Sequence, residues 1–361
     1  SDEKLILQLN EAGIAVSNKD DIVSNDQKLQ LLNHLRGSHG TKSTASSAPK
    51  KLTINRRSQS ELKLSGSFGR SRTVNVEVRK KRTYSIGVIV PKIEVHFHSL
   101  VISGIEDLAY NKGYNVTIFQ SKDSIDREKE IAKILQNRLV EGIIVCISNE
   151  TKNYSHFKKF VKLGVPIIFY DRVPSDFKAN KIIIDDFGSA LRATEHLIEQ
   201  GCQRIAHIAG NQNTTIFKDR FEGYKAALQS HKLSFDPNLV FETKNLTYEE
   251  GAEHAKAMIE LQAPPDGLFC SNDYTAISAI QVFQKANYKI PEQISVVGFS
   301  NYPISRVIEP NLTTINDRAF QMGEAATKLL IRQIEDEDNP IDFETITLKT
   351  NLIIRESSKR R

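Results

Sequence analysis

The stretch RTYSIGVIVPKIEVHFHSLVISGIEDLAYNKGYNVTIFQ, residues 82–120, decides the fold of most of the chain. Tyr84–Val90 is a β-branched run that ends in a proline, which predicts a buried strand. Apolar residues at helical spacing follow from Phe97 and stop at Gly113, as in a helix with a glycine cap. Tyr114–Phe119 is then a second strand. This βαβ unit predicts a parallel sheet, whose ligands bind beyond the carboxyl ends of the strands.

The same alternation of strands and helices continues to residue 354. The predicted strands lie at 142–147, 165–170, 182–184, 204–208, 239–242, 267–271, 294–299 and 346–354, and the predicted helices at 124–139, 153–164, 188–200, 217–231, 248–261, 273–287 and 318–335. Because roughly ten strands exceed one ordinary sheet, we expect two doubly wound parallel α/β subdomains that face each other. The expected subdomains are 84–171 with 318–340, and 173–316 with 343–357, so the crossings should fall near 171–173, 316–318 and 340–343.

Composition excludes several classes of protein. A chain of 361 residues with 39% hydrophobic and 26% charged residues can build two or three globular cores. No apolar run reaches about 18 residues and the start of the chain is polar, so we expect neither a transmembrane helix nor a secretory signal. Cys146, Cys202 and Cys270 lie far apart and match no zinc or redox spacing. We therefore expect a reduced, cytoplasmic protein with no metal site and no cofactor.

The first 83 residues differ in composition from the rest. Residues 1–37 have the apolar periodicity of two short helices, Glu3–Ala12 and Asn25–Leu35, which would form a small helical unit. The pair has the outline of a helix-turn-helix. Only Asn25 and Gln27 offer side chains suited to reading bases, however, so a helical pair without that role is the favoured interpretation. Residues 38–83 are Ser/Gly-rich and basic, and we expect them to form a flexible arm.

The basic charge of the chain is concentrated in this arm. Between Lys50 and Tyr84, eleven lysines and arginines face only Glu61 and Glu77, a local net charge of +9, whereas the whole chain carries +5. Such a block is typical of a segment that faces nucleic acid or lies free in solvent. The candidate phosphate contacts are Arg56, Arg57, Arg70, Arg72, Arg79, Lys80, Lys81 and Arg82.

Four strings in the N-terminal part carry a resemblance to a known protein. They are LNEAGI at 9–14, DIVS at 21–24, LLNHL at 31–35 and VNVEVRKKR at 74–82. They resemble the N-terminal domain of bacterial translation initiation factor 2 and the basic segment that follows it. The resemblance covers about the first 83 residues, and the absence of a G-x-x-x-x-G-K-[ST] loop means that it implies no GTPase activity. An abrupt junction of this kind indicates a fusion, whether engineered, natural or misassembled.

Residues 84–357 resemble a different family through motifs that are spread over most of their length. The motifs are Asp185-Asp186, ATEHLIEQG at 193–201, RIAHIAG at 204–210, RFEGY at 220–224, PDGLFCSND at 265–273, ISVVGF at 294–299, P-x-LTTI at 310–315 and L-x-x-RES at 352–357. Together they are similar to the effector-binding core of the lactose/galactose-repressor family of bacterial transcription regulators, which shares the fold of periplasmic sugar-binding proteins. The resemblance implies a ligand between two subdomains. It also implies a homodimer, for which helix 96–112 and the surface around 267–287 are the candidates.

The ligand-binding candidates are polar and aromatic residues that follow predicted strands. They are Phe97, His98, Asp171, Arg172, Arg220, Asn272, Asp273 and Ser300. Alternatives stay open: Phe97 also suits a helix-start core residue, Asp171 and Arg172 suit a hinge pair, and Asp273 suits an N-cap. Ser300 stands where the resembling family commonly has an acid or amide, and Asn301 is a possible substitute.

Arg220 is the residue from which we expect the strongest ligand contact. A guanidinium near the start of a helix beside the cleft suits vicinal hydroxyls or a carboxylate. On this interpretation its removal weakens binding and leaves the fold unaffected. The competing interpretation makes Arg220 a structural clamp on the carbonyl groups of its own loop.

The resemblance implies the ligand-sensing core of a transcription regulator, in which an effector closes the subdomains and changes a dimer interface. Operator DNA would be bound by a headpiece, to which this sequence shows no match. Two alternatives remain: a transport-type sugar-binding protein, and a ribosome or nucleic-acid binder that acts through residues 1–83. We expect no enzyme, because G-x-S-x-G, H-E-x-x-H and G-x-G-x-x-G motifs do not occur.

The charge of the basic arm leads to a prediction about nucleic acid. Binding through the arm should rest on phosphate contacts, so its affinity should fall steeply as the salt concentration rises and counterions compete. Fluorescence anisotropy with unrelated duplexes at several salt concentrations measures this dependence. Sequence-selective binding that survives high salt would contradict the prediction.

Overall fold

The computed structural model describes residues 57–64, 72–79, 84–138, 140–335 and 343–360. The chain divides into two compact units, residues 1–81 and residues 82–361. The predicted helical unit at 1–37 lies outside the described residues, as do the candidate phosphate contacts Arg56, Arg70, Lys80, Lys81 and Arg82.

The first unit contains an antiparallel pair of strands. β1 (Arg57–Leu64) pairs with β2 (Arg72–Arg79), and the register places Arg57 opposite Arg79 and Leu64 opposite Arg72. The alternating β-type residues of both segments explain the pairing. Over these two segments the structure therefore has paired strands where the composition predicts a loosely ordered arm.

The second unit alternates strands and helices along its length. Its strands are β3 (Tyr84–Val90), β4 (Tyr114–Gln120), β5 (Gly142–Val145), β6 (Ile167–Tyr170), β7 (Asn180–Ile184), β8 (Ile205–Ala209), β9 (Val240–Glu242), β10 (Gly267–Cys270), β11 (Ser295–Phe299), β12 (Thr313–Asn316), β13 (Thr345–Leu348) and β14 (Asn351–Ile353). Its helices are α1 (His96–Asn111), α2 (Ile125–Arg138), α3 (Ser155–Lys162), α4 (Asp186–Glu199), α5 (Thr215–Ser230), α6 (Tyr248–Glu260), α7 (Asp273–Lys285) and α8 (Ala319–Glu335). None of the helices among the described residues is long and apolar enough to cross a bilayer.

Within the described part of this unit, the strands form two six-stranded sheets. Their orders are β13-β7-β6-β5-β3-β4 and β14-β12-β11-β10-β8-β9. Neighbouring strands are parallel, except that β14 runs antiparallel to β12. We call the two halves subdomain 1, around the first sheet, and subdomain 2, around the second. The predicted fold of two parallel α/β subdomains is confirmed.

The first crossing between the subdomains lies later than the sequence pattern predicts. The chain leaves subdomain 1 after residue 184 and not near 171–173, because β7 pairs with β6. The link between these strands, 171–179, carries no helix, so it interrupts the βαβ rhythm on which the prediction rests. Phe177 and Ala179 in this link are buried in the core of subdomain 1.

The third crossing also differs from its predicted place. The predicted strand 346–354 is two strands: β13 joins β7 in the first sheet, and β14 joins β12 in the second. The crossing therefore lies between residues 348 and 351 and not near 340–343. β12 is a strand that the prediction lacks, because a 3-10 turn, Pro303–Arg306, stands where the rhythm requires a helix. The second crossing lies between the end of β12 at Asn316 and the start of α8 at Ala319.

The central strands are buried on both faces. β5 (GIIV), β6 (IIFY), β10 (GLFC) and β11 (SVVGF) have no exposed residue. Parallel sheets with helices on both sides require such continuous apolar runs, because neither face meets water. The polar residues of each repeat are consequently left to the loops at the carboxyl ends of the strands, where a ligand can reach them.

Two glycines allow the closest helix contact in subdomain 1. A Cβ atom on Gly104 of α1 would overlap the carbonyl oxygen of Phe320 in α8, and a Cβ atom on Gly323 would overlap the carbonyl oxygen of Val101 in α1. The obstacle is backbone in both directions, so a side-chain rotation cannot relieve it. This contact fixes α8, the helix that follows the second crossing, against the first helix of the subdomain.

Gly104→Ala and Gly323→Ala should each destabilise the protein, because the two helices must separate to admit a methyl group. Overpacking of this kind costs roughly 1–3 kcal/mol of unfolding free energy. Urea unfolding followed by circular dichroism measures the loss. Ser103→Ala, at an exposed position beside Gly104, is the matched control and should lie within about 0.5 kcal/mol of the parent. Equal stability of the Gly104 variant and this control would contradict the packing argument.

Candidate functional site

A cavity of about 130 Å³ lies between the two subdomains, at the carboxyl ends of both sheets. Loops after β3, β4, β5 and β6 form one wall, and loops after β8, β9, β10, β11 and β12 form the other. From subdomain 1 the lining residues are Pro91, Lys92, Val95, Phe97, His98, Asp123, Asn149, Asp171 and Arg172. From subdomain 2 they are Ile216, Phe217, Arg220, Lys244, Asn245, Leu246, Ser271, Asn272, Tyr274, Ser300, Tyr302 and Asp317.

The structure brings most of the predicted ligand-binding residues together in this lining. They are Phe97, His98, Asp171, Arg172, Arg220, Asn272 and Ser300. Asp273 is the exception, since it lies behind the wall. Its carboxylate accepts hydrogen bonds from the Tyr302 backbone N–H at 2.7 Å and from Thr314 Oγ1 at 2.6 Å. Burial raises the pKa of Asp273 to about 7, which fits a carboxyl group that holds the loop after β11 in place.

Phe97 and His98 begin α1 and are both buried at the cavity. Their rings meet edge to face, with centroids 5.1 Å apart. The Nδ1 atom of His98 lies 3.4 Å from the Tyr170 hydroxyl. Burial, assisted by the charge of Arg172, lowers the pKa of His98 well below its ordinary value. The imidazole is therefore neutral at physiological pH, and one nitrogen can donate a hydrogen bond while the other accepts one.

Asp171 and Arg172 follow β6, but they do not pair with each other. The NH1 group of Arg172 donates to Asp123 Oδ1 at 2.5 Å. Asp171 adopts a left-handed backbone, φ 58°, and its Oδ2 accepts from the thiol of Cys146 at 3.7 Å. Burial raises the pKa of Asp171. Within the described part of the chain, the Nε atom of Arg172 is buried without a hydrogen-bond partner, so this group can donate to a ligand.

Arg220 lies on the first turns of α5 and is held on several sides. Its Nε donates to Asp186 Oδ1 at 2.7 Å, and its NH1 donates to the carbonyl oxygen of Ser271 at 2.7 Å. Its Cζ atom lies 3.6 Å from the centroid of the Phe299 ring, a close cation–π contact. The residue is 5% exposed. These contacts make Arg220 a clamp on Asp186 and on the Ser271 carbonyl, and not on the carbonyls of its own loop. The residue also lines the cavity.

Asn272 and Asn301 are held by hydrogen bonds within subdomain 2. Asn272 caps α7: its Oδ1 accepts from the Thr275 backbone N–H at 2.9 Å, and its Nδ2 donates to the Leu246 carbonyl at 2.8 Å. The cap is therefore Asn272, whereas the sequence pattern assigns it to Asp273. Asn301 does not replace Ser300 in the lining, because its side-chain oxygen accepts from Arg355 at 2.6 Å.

Two contacts join the subdomains across the mouth of the cleft. Thr214 Oγ1, at the start of α5, donates to Asn149 Oδ1 at 3.0 Å. The rings of His96 on α1 and Tyr302 on the loop after β11 meet edge to face, 5.2 Å apart. The structure is therefore an arrangement in which the two walls touch.

Several lining residues were not predicted from the sequence, among them Lys92, Asp123, Asn149, Lys244 and Asp317. Each follows a strand directly or within a few residues, so the rule that selected Asp171 also applies to them. Asp317 follows β12, the strand that the prediction lacks. Burial raises the pKa of Asp317 to about 7. Among the described residues, no cluster of three or more His, Cys, Asp or Glu side chains is placed to hold a metal ion.

Comparisons of the chain with known proteins identify its family. Residues 194–358 match the model of the periplasmic binding protein-like domain. The ribose operon repressor of Halalkalibacterium halodurans is 30% identical over 279 residues, which cover 77% of this chain and 81% of the repressor. The chain belongs to the lactose/galactose-repressor (LacI) family. Its second unit is the effector-sensing core of a LacI-family transcription regulator.

Other proteins of the LacI family are similar to this chain to a comparable degree. The HTH-type transcriptional repressor PurR of Haemophilus influenzae is 30% identical over 280 residues, 77% of this chain and 82% of that repressor. The crystal structure of the transcription regulator CcpA of Lactococcus lactis superposes with a TM-score of 0.69 at 26% identity, covering 77% of this chain and 100% of that one. The crystal structure of a LacI-family regulator of Enterococcus faecium with bound ribose superposes with a TM-score of 0.67 at 27% identity, covering 76% of this chain and 98% of that one. These relatives are repressors and regulators by name.

The basic segment matches an unrelated family. Residues 49–85 are similar to the bacterial translation initiation factor IF-2 associated region. The match includes VNVEVRKKR at 74–82, which overlaps the strand β2. The LacI-family core of this chain thus follows a segment of a different type.

The contacts of Arg220 predict a loss of stability on its removal, whereas the favoured sequence interpretation expects the fold to be unaffected. Arg220→Ala should lower the free energy of unfolding by about 3–5 kcal/mol, because Asp186 then stays buried without its partner. Burial already raises the pKa of Asp186 to about 7 against the opposing charge of Arg220. Lys225→Ala, on the same helix in an exposed ion pair with Glu222, is the control and should cost about 0–1 kcal/mol.

The pH dependence separates this effect from a simple loss of packing. Without Arg220, the folded-state pKa of Asp186 rises further above its unfolded value of about 3.9. The folded protein then holds a proton that the unfolded chain releases, so the stability of the variant falls as the pH rises from about 4 through 7. Urea midpoints measured at pH 5 and pH 8 should show the larger deficit at pH 8. A deficit that does not change with pH would contradict the ion-pair explanation.

Proposed function

We propose that residues 84–357 bind a small, polar, sugar-like effector in the cavity, and that binding closes subdomain 1 onto subdomain 2. The cavity carries the proposal, because polar side chains of both subdomains face it. Two of its groups, Arg172 Nε and Ser271 Oγ, are buried without a partner among the described residues. A ligand that bonds to both walls favours the closed arrangement, since only closure brings the walls together.

The size and chemistry of the cavity support a ligand of monosaccharide size. A volume of about 130 Å³ holds on the order of ten water-sized groups at roughly 10–15 Å³ each. Phe97 offers an apolar surface for a ring, and the neutral His98 and the arginines offer donors for hydroxyl groups. The ribose bound to the Enterococcus faecium regulator and the name of the Halalkalibacterium halodurans repressor point to the same class.

The assignment of segments to subdomains follows from the strand order. We propose that residues 84–184 and 319–348 move as subdomain 1 and that residues 186–316 and 351–357 move as subdomain 2. The three connections near 185, 317 and 349 would then bend during closure. Asp186 and Asp317 lie at two of these connections, so a ligand at the cavity acts close to the hinge.

The output of closure is the control of DNA binding. In this proposal the core forms a homodimer through α1 and the surface around 267–287, and closure changes the spacing of paired headpieces on operator DNA. The protein then works in the cytoplasm and binds its effector without chemical change, in keeping with relatives that are named as repressors. Residues 1–83 would be a fused segment of translation-factor type, which the match at 49–85 supports.

A thermal-shift panel tests effector binding. Sugars, sugar acids and nucleosides should include at least one compound that raises the melting temperature by several degrees, since saturation at a hundred times Kd adds about 2.7 kcal/mol of stability. Isothermal titration with that compound should then give one site per chain. If no member of the panel shifts the melting temperature or binds by titration, the proposed function is contradicted.

Removal of the Thr214 hydroxyl group tests whether the contact between the walls stabilises the closed cleft. Thr214→Val removes the hydrogen bond to Asn149 and keeps the side-chain volume, and no helix cap is lost because Thr214 makes no side-chain cap bond. Affinity for the effector should fall roughly two- to tenfold, the scale of one neutral hydrogen bond. Asn149→Ala should give the same loss without adding to it in the double variant. Full additivity, or unchanged affinity in both single variants, would show that this contact does not stabilise the bound form.

A further inference from the structure

Two lysines line the cavity without a partner for their charges. Lys92 follows β3 in subdomain 1, and Lys244 follows β9 in subdomain 2, so one ammonium group stands on each wall. Across the described residues, neither Nζ atom takes part in a hydrogen bond or an ion pair. Lys92 is half-buried and Lys244 is exposed. Their stems thus reach the cavity while their charges stay uncompensated.

The acidic residues of the lining form no ion pair with these two lysines. Arg172 is paired with Asp123, and Arg220 is paired with Asp186. Only Asp171 and Asp317 remain among the lining acids, and each is buried. Burial raises the pKa of both carboxyl groups, that of Asp317 to about 7. The lining therefore keeps two ammonium groups, one on each wall, that no carboxylate among the described residues contacts.

The hydroxyl group of Ser271 suits an uncharged part of the ligand, unlike the two lysines. Ser271, which is fully buried, has no hydrogen-bond partner for its hydroxyl among the described residues. Its backbone carbonyl is already taken by Arg220. A ligand hydroxyl suits the free Oγ atom because it can both donate and accept. The cavity thus combines one uncharged hydroxyl group, that of Ser271, with the ammonium groups of Lys92 and Lys244, which have no partner among the described residues.

We propose that the effector is an anionic sugar derivative, whose hydroxyl-bearing part binds at Ser271 and whose phosphate or carboxylate group is neutralised by Lys92 and Lys244. This inference rests on the proposed function and narrows its ligand class. Because the two lysines belong to opposite subdomains, an anion between the walls compensates both charges only when the cleft is closed. The negative charge of the effector then contributes directly to closure, since it offsets the repulsion between the walls.

Matched sets of probes test the charge requirement by isothermal titration of the full chain. The sets are ribose, ribonate and ribose 5-phosphate, and glucose, gluconate and glucose 6-phosphate. In at least one set an anionic member should bind tenfold or more tightly than the neutral sugar, because bonds to charged groups are the strong ones. The advantage should shrink as the salt concentration rises from about 0.05 to 0.5 M. The carboxylate and phosphate members distinguish the two sources of charge.

Lysine variants assign the effect to residues. Lys92→Gln and Lys244→Gln should each weaken binding of the anionic probe roughly tenfold and leave binding of the neutral sugar unchanged. Lys256→Gln, at an exposed position on α6 away from the cavity, is the matched control and should change neither. Equal loss for charged and neutral probes would make the lysines structural and overturn the inference.

The outcomes also separate this inference from the proposed function. A neutral sugar that binds as tightly as its anionic relatives would leave effector sensing in place and overturn the anionic class. Failure of every probe, neutral and charged, in titration and in thermal shift would contradict the proposed function, and the present inference with it.

Discussion

The buried ion pair between Arg220 and Asp186 is the interaction on which the site depends. Asp186 begins α4, directly after the chain enters subdomain 2, and Arg220 lies on α5. The guanidinium also lies against the ring of Phe299, and it donates a hydrogen bond to the carbonyl oxygen of Ser271, just after β10. One side chain thereby holds the crossing, a helix and two strand ends in fixed positions. Such a pair contributes specificity of arrangement more than net stability, because the desolvation of both charges offsets much of their attraction.

Around this pair, the second wall of the cavity is built mostly from groups that are already satisfied. Asn272 caps α7, and Asp273 holds the backbone at Tyr302. A ligand therefore meets a preorganised surface and does not have to compete for these groups, which lowers the cost of binding. Each wall also keeps groups that have no partner among the described residues: Arg172 Nε and Lys92 on the first wall, and Ser271 Oγ and Lys244 on the second. In the proposed function, a ligand between the walls completes the contacts of both subdomains.

Much of the candidate site could be predicted because the loops that follow parallel strands all lie at the same edge of the sheet. Phe97, Asp171, Arg172 and Arg220 follow strands that are evident from their apolar runs, and they line one cavity. Lys92, Asp123, Asn149 and Lys244 also follow predicted strands and were not selected, whereas Asp317 was missed because its strand was not recognised. Asp317 follows β12, a strand without a preceding helix. The rule also could not separate Asn272 from Asp273, because which of two adjacent side chains turns toward the helix N–H groups depends on backbone torsions and not on sequence spacing.

The sequence by itself determined the βαβ rhythm, the need for two sheets and the family, since each of these rests on local periodicity and on motifs that survive in linear order. It also determined the basic character of residues 50–82, which is a count of charges. Only the tertiary structure decided that β7 and β13 join the first sheet and that Arg220 pairs with Asp186. It also decided that Lys92 and Lys244 face one cavity with no charge partner among the described residues. The physical reason is that these are contacts between residues far apart in the chain, and the pairing of a charge depends on what folding brings beside it.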